Sequence, residues 1–127
     1  MKSRRLTWRQ KIGSRAEDAA AAFLQAHGAH IILRNYCCRW GELDIVARLG
    51  ESELAIVEVR TRSSNAYGGA AASVDAAKRQ RLIRAASRLL QHSKDLARLR
   101  ARFDVVVVCD PYGDAPQIEW IKHAFSA

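Results

Sequence analysis

The stretch "GELDIVARLGESELAIVEVR", residues 41–60, decides the fold. Its two apolar runs flank Gly50-Glu51-Ser52, and such runs around a short turn are typical of a β-hairpin. If these three residues form the loop, Leu49 lies opposite Glu53. This register then determines which side chains face each other along the whole hairpin.

The predicted register brings charged side chains together inside the apolar strands. Glu42, Asp44 and Val46 share one face of the first strand, because successive side chains alternate between faces. The register places Asp44 directly opposite Glu58. It also places Glu42 opposite Arg60. We therefore expect two carboxylates and an arginine to meet on one face of the sheet.

Two facing carboxylates repel each other, and a divalent cation removes that conflict. The pattern predicts a metal-dependent phosphodiesterase site, in which Asp44 and Glu58 hold Mg²⁺ or Mn²⁺ and Arg60 stabilises charge on phosphorus. Two alternatives stay open. In the first, this face of the sheet is solvated and its charges form salt bridges. In the second, a two-residue loop turns Asp44 and Glu58 to opposite faces.

The segments on either side of the hairpin complete an α/β pattern. Apolar periodicity predicts helices over 11–28, ending near Gly28, and over 73–92, with Ser73 as N-cap. Further strands are predicted over 30–40, 102–110 and 117–125. The order α-β-β-β-α-β-β predicts a mixed sheet flanked by helices.

Composition bounds the class of protein. The chain has 127 residues, which predicts one domain over 1–127, with residues 1–10 as a flexible basic arm. A net charge of +8 and a pI of about 10.0 favour a polyanionic partner, nucleic acid first. We expect a cytoplasmic protein with reduced cysteines, because the sequence contains neither a signal peptide nor an apolar run of membrane-spanning length.

Several blocks together resemble a known family. "GELDIVA", "AIVEVRTR", "YGG", "SVDAAKRQRLIRAA" and "RFDVVVV" follow one another between Gly13 and Val108 in the order and spacing of the YraN-like bacterial proteins. That family is placed among the PD-(D/E)XK nuclease-like proteins. The resemblance implies a restriction-endonuclease-like core and an endonuclease role on DNA, including branched or flapped DNA.

The resemblance also implies roles for individual residues. Asp44 and Glu58 match the metal-binding carboxylates of the superfamily motif, and Glu17 matches a further metal-associated carboxylate. Arg60 stands where the motif has Lys; it is too basic to act as a proton acceptor but can clamp a phosphate. Lys78 is the candidate for the displaced ammonium group. Arg60 also favours the alternative function, a nucleic-acid-binding module whose catalytic site has decayed.

The second helix carries a basic stripe, which we interpret as a nucleic-acid-binding surface or, alternatively, as an ordinary solvated face. The predicted nucleic-acid-binding residues are Arg62, Gln80, Arg81, Arg84 and Arg88. Trp40 is expected to pack in the core, with base stacking as the alternative. Asp104 is expected to pair with Arg102 or to cap the strand at the rim of the sheet, with a role as ligand as the alternative. A homodimer is a further hypothesis, since two-strand cleavage favours two-fold symmetry.

Overall fold

The computed structural model describes residues 8–62, 74–109 and 115–127, with side chains from Ser14 onward. Its elements are α1 (Trp8–Ala26), β1 (His30–Cys38), β2 (Gly41–Leu49), β3 (Glu53–Arg62), α2 (Ala76–Gln91), the short α3 (Lys94–Ala97), β4 (Arg100–Cys109) and β5 (Gln117–Phe125). Residues 8–10 of the proposed basic arm begin α1, whereas residues 1–7 lie outside the described part.

The described strands form one five-stranded sheet in the order β1-β2-β3-β4-β5. β3 and β4 are parallel and are joined through α2, whereas the other neighbouring pairs are antiparallel. This confirms the predicted α/β architecture with a mixed sheet, to which the structure adds only the short α3 among the described elements. None of the described helices has the length and apolarity needed to cross a membrane.

Helix α1 covers one face of the sheet through small side chains. Ala16, Ala20, Ala21 and Leu24 are buried against strand residues such as Ile45. Gly28, at φ 91°, ends the helix as predicted, because this left-handed conformation suits glycine and lets the Ala29 N–H reach the Leu24 carbonyl at 2.9 Å. We call this buried layer the α1-side cluster.

Helix α2 covers the opposite face through Leu82, Ala85, Ala86 and Leu89. These side chains pack on a layer that we call the α2-side cluster, whose strand members are Leu43, Val46, Leu54, Ile56 and Phe103. The N-cap is Asp75, whose carboxylate accepts from the Lys78 N–H at 2.8 Å. The predicted cap, Ser73, lies outside the described residues; the prediction is wrong because Asp75 supplies the capping oxygen.

Strand β4 is buried from Phe103 to Cys109, as its continuous apolar run predicts. Asp104 is fully buried within it. Its carboxylate accepts from Arg102 at 2.9 Å, from the Trp120 indole at 2.8 Å and from the His123 N–H at 3.0 Å. The predicted pairing with Arg102 is thereby confirmed, and the network fastens the edge strand β5 to β4.

Candidate functional site

The hairpin of β2 and β3 has the predicted three-residue loop. The cross-strand pairs run from Leu49 opposite Glu53 to Ile45 opposite Val57, and this register rules out the alternative two-residue loop. One position further, Asp44 Oδ2 accepts the Val59 N–H at 2.9 Å. A side chain of β2 therefore bonds the backbone of β3 where the regular pairing ends.

The alternation of side chains along β1 and β2 is irregular at this point, whereas the register of their pairs shifts only between Ile31 and Leu33. Leu33 pairs with Val46 and Tyr36 pairs with Leu43, yet all four side chains pack in the α2-side cluster. Strict alternation would place side chains three residues apart on opposite faces. Between these pairs lies Asn35, whose φ of 55° is the left-handed conformation that Asn tolerates better than most residues.

This irregularity corrects the predicted distribution of side chains over the two faces. Val46 packs on the α2 side, whereas the carboxylates of Glu42 and Asp44 lie next to Glu17 of α1. The expectation that Asp44 and Val46 share a face is therefore wrong. The physical reason is a break in the alternation at Asp44 of β2, beside Asn35 of β1. Because of this break, Glu42 and Asp44 face the side of the sheet opposite to the one that strict alternation from Val46 predicts.

Three carboxylates converge beside this break. One oxygen from each of Glu17, Glu42 and Asp44 lies within 4.8 Å of the others, and we call this group the acidic cluster. The Asn35 amide, oriented with its nitrogen toward the carboxylates, donates to Glu17 at 3.0 Å and to Glu42 at 3.1 Å. Arg34 approaches Glu17 from the outside, at 3.8 Å.

Glu42 is the member of the cluster that sequence reasoning did not assign as a ligand. Its position two residues before Asp44 on the same strand was the available signal. The predicted register assigned it to Arg60 instead. The structure assigns it to α1, because the break turns this end of β2 toward that helix.

Glu58 lies next to the acidic cluster and is not one of its three members. The strand neighbours Leu54 and Ile56 face α2, and Glu58 follows the same alternation. Its side chain is only 9% exposed, and Lys78 Nζ lies 3.7 Å from its Oε1. The Arg60 guanidinium lies 3.9 Å from the same oxygen. The other oxygen, Oε2, is buried without a hydrogen-bond partner among the described residues.

Burial and mutual repulsion raise the pKa values of these carboxyl groups. Burial first, and then the nearby Asp44 charge, raise the pKa of Glu58 to about 7, against the lowering effects of Lys78 and Arg60. Burial also raises the pKa of Asp44, against the hydrogen bond from Val59. The pKa of Glu17 is raised by burial and then by Asp44. Burial and the repulsion between carboxylates therefore both oppose full ionisation of this site.

This donor set suits a hard divalent cation. Mg²⁺ and Mn²⁺ bind carboxylate oxygens, and here the acidic cluster and the unpartnered Glu58 Oε2 supply them. A bound cation would offset the repulsion that raises the pKa values. Of the predicted ligands, the structure brings Glu17 and Asp44 together and places Glu58 next to them.

The end of β3 presents unsatisfied donors. Arg60 Nε, Arg62 Nε and Arg62 Nη1 are shielded from solvent and have no hydrogen-bond partner within the described ranges. Buried guanidinium N–H groups without acceptors are costly, and a phosphate oxygen is a matching acceptor. These donors follow Glu58 at alternate positions of the same strand.

The predicted basic surface on α2 is exposed. Solvent reaches the side chains of Gln80, Arg81, Arg84 and Arg88, while Lys78 is half-buried against Glu58. Lys78 is thus the residue that connects this surface to the carboxylates.

Trp40 does not pack in the core, and that expectation is wrong. It is 38% exposed and lies in the turn between β1 and β2. The guanidinium carbons of Arg39 and Arg84 lie 4.9 Å and 5.1 Å from its ring centroid.

Comparisons with known proteins agree with the resemblance noted in the sequence. The model of the family described as "Uncharacterised protein family UPF0102" matches residues 16–108. The chain is 46% identical over 118 residues to a UPF0102 protein of Cupriavidus pinatubonensis, covering 91% of this chain and 86% of the relative. It is 42% identical over 119 residues to one of Pseudomonas savastanoi pv. phaseolicola, covering 94% and 96%. The chain therefore belongs to the YraN-like family of proteins, UPF0102.

Proposed function

We propose that this protein is a divalent-metal-dependent nuclease that hydrolyses phosphodiester bonds of DNA. The observation that carries the proposal is the placement of Glu58. It is a buried carboxylate with one unpartnered oxygen, it lies near Asp44 of the acidic cluster, and Lys78 and Arg60 lie within 3.9 Å of its other oxygen. Carboxylates next to fixed cations are the combination that metal-assisted phosphodiester hydrolysis needs.

Asp44, Glu58 and Glu17 would hold the cation, with Glu42 as a fourth carboxylate within reach. A cation held there supplies positive charge that polarises the phosphodiester and lowers the pKa of water. The Val59 N–H holds the Asp44 carboxylate in place through its 2.9 Å hydrogen bond. Asn35 does the same for Glu17 and Glu42.

Lys78 and Arg60 act on the phosphate itself. With a cation bound at Glu58, both side chains would be free to pair with the phosphate oxygens on which negative charge develops. Water attacks phosphorus and releases a proton, the bond to the leaving oxygen breaks, and that oxygen takes up a proton from solvent to become a hydroxyl. Arg60 serves here as a phosphate clamp, because its guanidinium stays protonated at all physiological pH values.

The substrate class follows from charge and from the family resemblance. The chain carries a net charge of +8, and α2 presents Arg81, Arg84 and Arg88 next to Lys78. Such a stripe contacts phosphates without reading sequence. Branched or flapped DNA, a restriction-endonuclease-like core and a homodimer are the further parts of this proposal that follow from the resemblance and from two-fold symmetry.

The test is cleavage of end-labelled linear, flapped and four-way DNA in Mg²⁺, Mn²⁺ or EDTA. Wild-type protein is compared with Asp44→Asn, Glu58→Gln and Lys78→Met. Asp95→Asn is the matched control, since the Asp95 side chain is 92% exposed on α3. We expect metal-dependent cleavage that the first three changes abolish and the control retains. Cleavage that survives Asp44→Asn contradicts the site. Binding of DNA without cleavage by the wild type supports the decayed module instead.

A further inference from the structure

Trp40 occupies an unusual position for a large aromatic residue. Among the described residues it is the one large hydrophobic side chain that is exposed. Gly41 follows it at φ 149°, and a Cβ at Gly41 would lie 3.6 Å from Arg81 Cβ. The turn is thus held closely against α2, and Trp40 is presented at the edge of the basic surface.

Arginines surround the exposed ring. The guanidinium of Arg84 lies over it at 5.1 Å and that of Arg39 at 4.9 Å, both within the range of cation–π contact. The ring forms one wall of an open cleft of about 240 Å³ that is also lined by Arg84, Ser87, Arg88 and Gln91. The cleft therefore combines an aromatic face, two positive charges and two neutral hydrogen-bonding side chains.

We propose that this cleft binds an unpaired nucleobase of the nucleic acid that the protein cleaves. Every nucleobase offers a flat face that would take the place of the Arg84 guanidinium over the Trp40 ring, and that arginine would then bind an adjoining phosphate. A base inside a duplex already stacks on its neighbours on both sides, so only an unpaired base is available to Trp40. The inference rests on the proposed function and narrows its substrate class to nucleic acid with a single-stranded segment, such as a flap.

The position of the cleft relative to the carboxylates supports this class. Lys78 contacts Glu58, and Arg84 is six residues further along the same helix, about 9 Å along its axis. A strand that follows the exposed arginines of α2 would therefore extend from the stacked base at Trp40 to the phosphate site near Glu58.

Binding is tested in EDTA, where no cleavage occurs, by fluorescence anisotropy of labelled oligo(dT), oligo(U) and a blunt DNA duplex. We expect Trp40→Leu to weaken single-strand binding about tenfold and duplex binding far less, because stacking on one base is lost. Trp40→Phe keeps an aromatic face and is expected to retain most of the affinity. Arg84→Gln should weaken binding of all three nucleic acids.

Arg98→Gln is the matched control for Arg84→Gln, because the Arg98 side chain is 79% exposed and pairs only with the exposed Asp95 among described contacts. Thermal unfolding checks that each variant is folded. A Trp40-dependent preference for oligo(dT) or for oligo(U) identifies the strand chemistry. Equal affinities of Trp40→Leu and wild type, equal losses on single strand and duplex, or no single-strand binding by the wild type overturns the inference.

This outcome is distinct from failure of the proposed nuclease. Trp40-dependent binding without any cleavage removes the nuclease proposal and keeps the stacking site. Cleavage that depends on Asp44 but not on Trp40 keeps the nuclease and removes the stacking site.

Discussion

The Asp44 carboxylate accepts the backbone N–H of Val59 at 2.9 Å, one position beyond the last regular pair of β2 and β3. The same carboxylate belongs to the acidic cluster with Glu17 and Glu42. Asp44 thus links the two strands at the open end of the hairpin and also supplies a candidate metal ligand. We therefore expect substitutions of Asp44 to affect stability and the proposed metal binding in separable ways.

Asp44→Ala and Asp44→Asn separate the two roles. Asn keeps an oxygen that accepts from Val59, whereas Ala leaves that N–H without its partner. We expect Asp44→Ala to be less stable than Asp44→Asn by about 1–3 kcal/mol, because an unsatisfied backbone group costs that much. Urea unfolding in EDTA measures the difference. Equal stabilities of the two variants would show that the Val59 hydrogen bond contributes nothing.

Glu58 makes stability depend on pH. Its pKa is raised from 4.5 to about 7, so the folded protein binds this proton more tightly than the unfolded chain. Between those pH values the folded state therefore loses stability as pH rises, by on the order of 3 kcal/mol, and the loss is complete above pH 7. We expect Glu58→Gln to match the wild type near pH 5 and to be more stable near pH 8.

Chemical unfolding at a series of pH values, in EDTA, checks this prediction. Asp95→Asn serves as the control, because this substitution removes the same charge from an exposed carboxylate outside the site. A wild type that gains stability from pH 5 to pH 8 relative to Glu58→Gln would contradict the direction of the effect.

Divalent cations should counteract the same penalty. At pH 8 we expect saturating Mg²⁺ or Mn²⁺ to raise the melting temperature of the wild type, since binding to the folded state alone stabilises it. Asp44→Asn and Glu17→Gln should each weaken this shift and lower the calorimetric affinity at least tenfold. Asp95→Asn should leave both unchanged. An unchanged affinity in both cluster variants would place the cation elsewhere.

Asn35 should hold the acidic cluster together before any cation binds. Its amide donates to Glu17 and Glu42, and its φ of 55° is a conformation that glycine also adopts. We expect Asn35→Gly to lower the free energy of unfolding in EDTA by about 1–3 kcal/mol, because two bonds to charged acceptors are lost. The loss should shrink in saturating Mg²⁺, which takes over the bridging role. A loss of the same size with and without Mg²⁺ would show that Asn35 does not stabilise the acidic cluster.

Asp104 should dominate the stability of the β4–β5 edge. Asp104→Ala leaves Arg102, the Trp120 indole and the His123 N–H without their shared acceptor. We expect a loss of about 3–5 kcal/mol in urea unfolding, the cost of breaking a buried charged pair. Asp104→Asn retains one acceptor oxygen and should lose less. A loss below that of an exposed substitution such as Asp95→Asn would contradict this role.

Local sequence patterns predicted much of the fold, because strand alternation, helix periodicity and loop length depend on residues close together in the sequence. The alternation of β2 and β3 around Gly50-Glu51-Ser52 determined the hairpin register, since loop length and strand period leave few options. The apolar stripe of α2 and the end of α1 at Gly28 were likewise readable. Asp44 and Glu58 were identified as neighbours from this register, although Asp44 meets β3 through Val59.

The remaining features depended on contacts between segments distant in the sequence. The break in alternation at Asn35 and Asp44 follows from how β1, β2 and α1 pack together, and no period-2 pattern contains it. The same packing recruits Glu42 to Glu17.

Trp40 shows the same limit at the surface. Its apolar ring predicted burial, but its place in a turn against α2 leaves it exposed between two arginines. The sequence alone determined that β2 pairs with β3 and which charges these two strands carry, because this pairing depends on loop length and local periodicity. Only the tertiary structure decided which charges converge and which aromatic ring stays exposed, because both depend on where the helices cross the sheet.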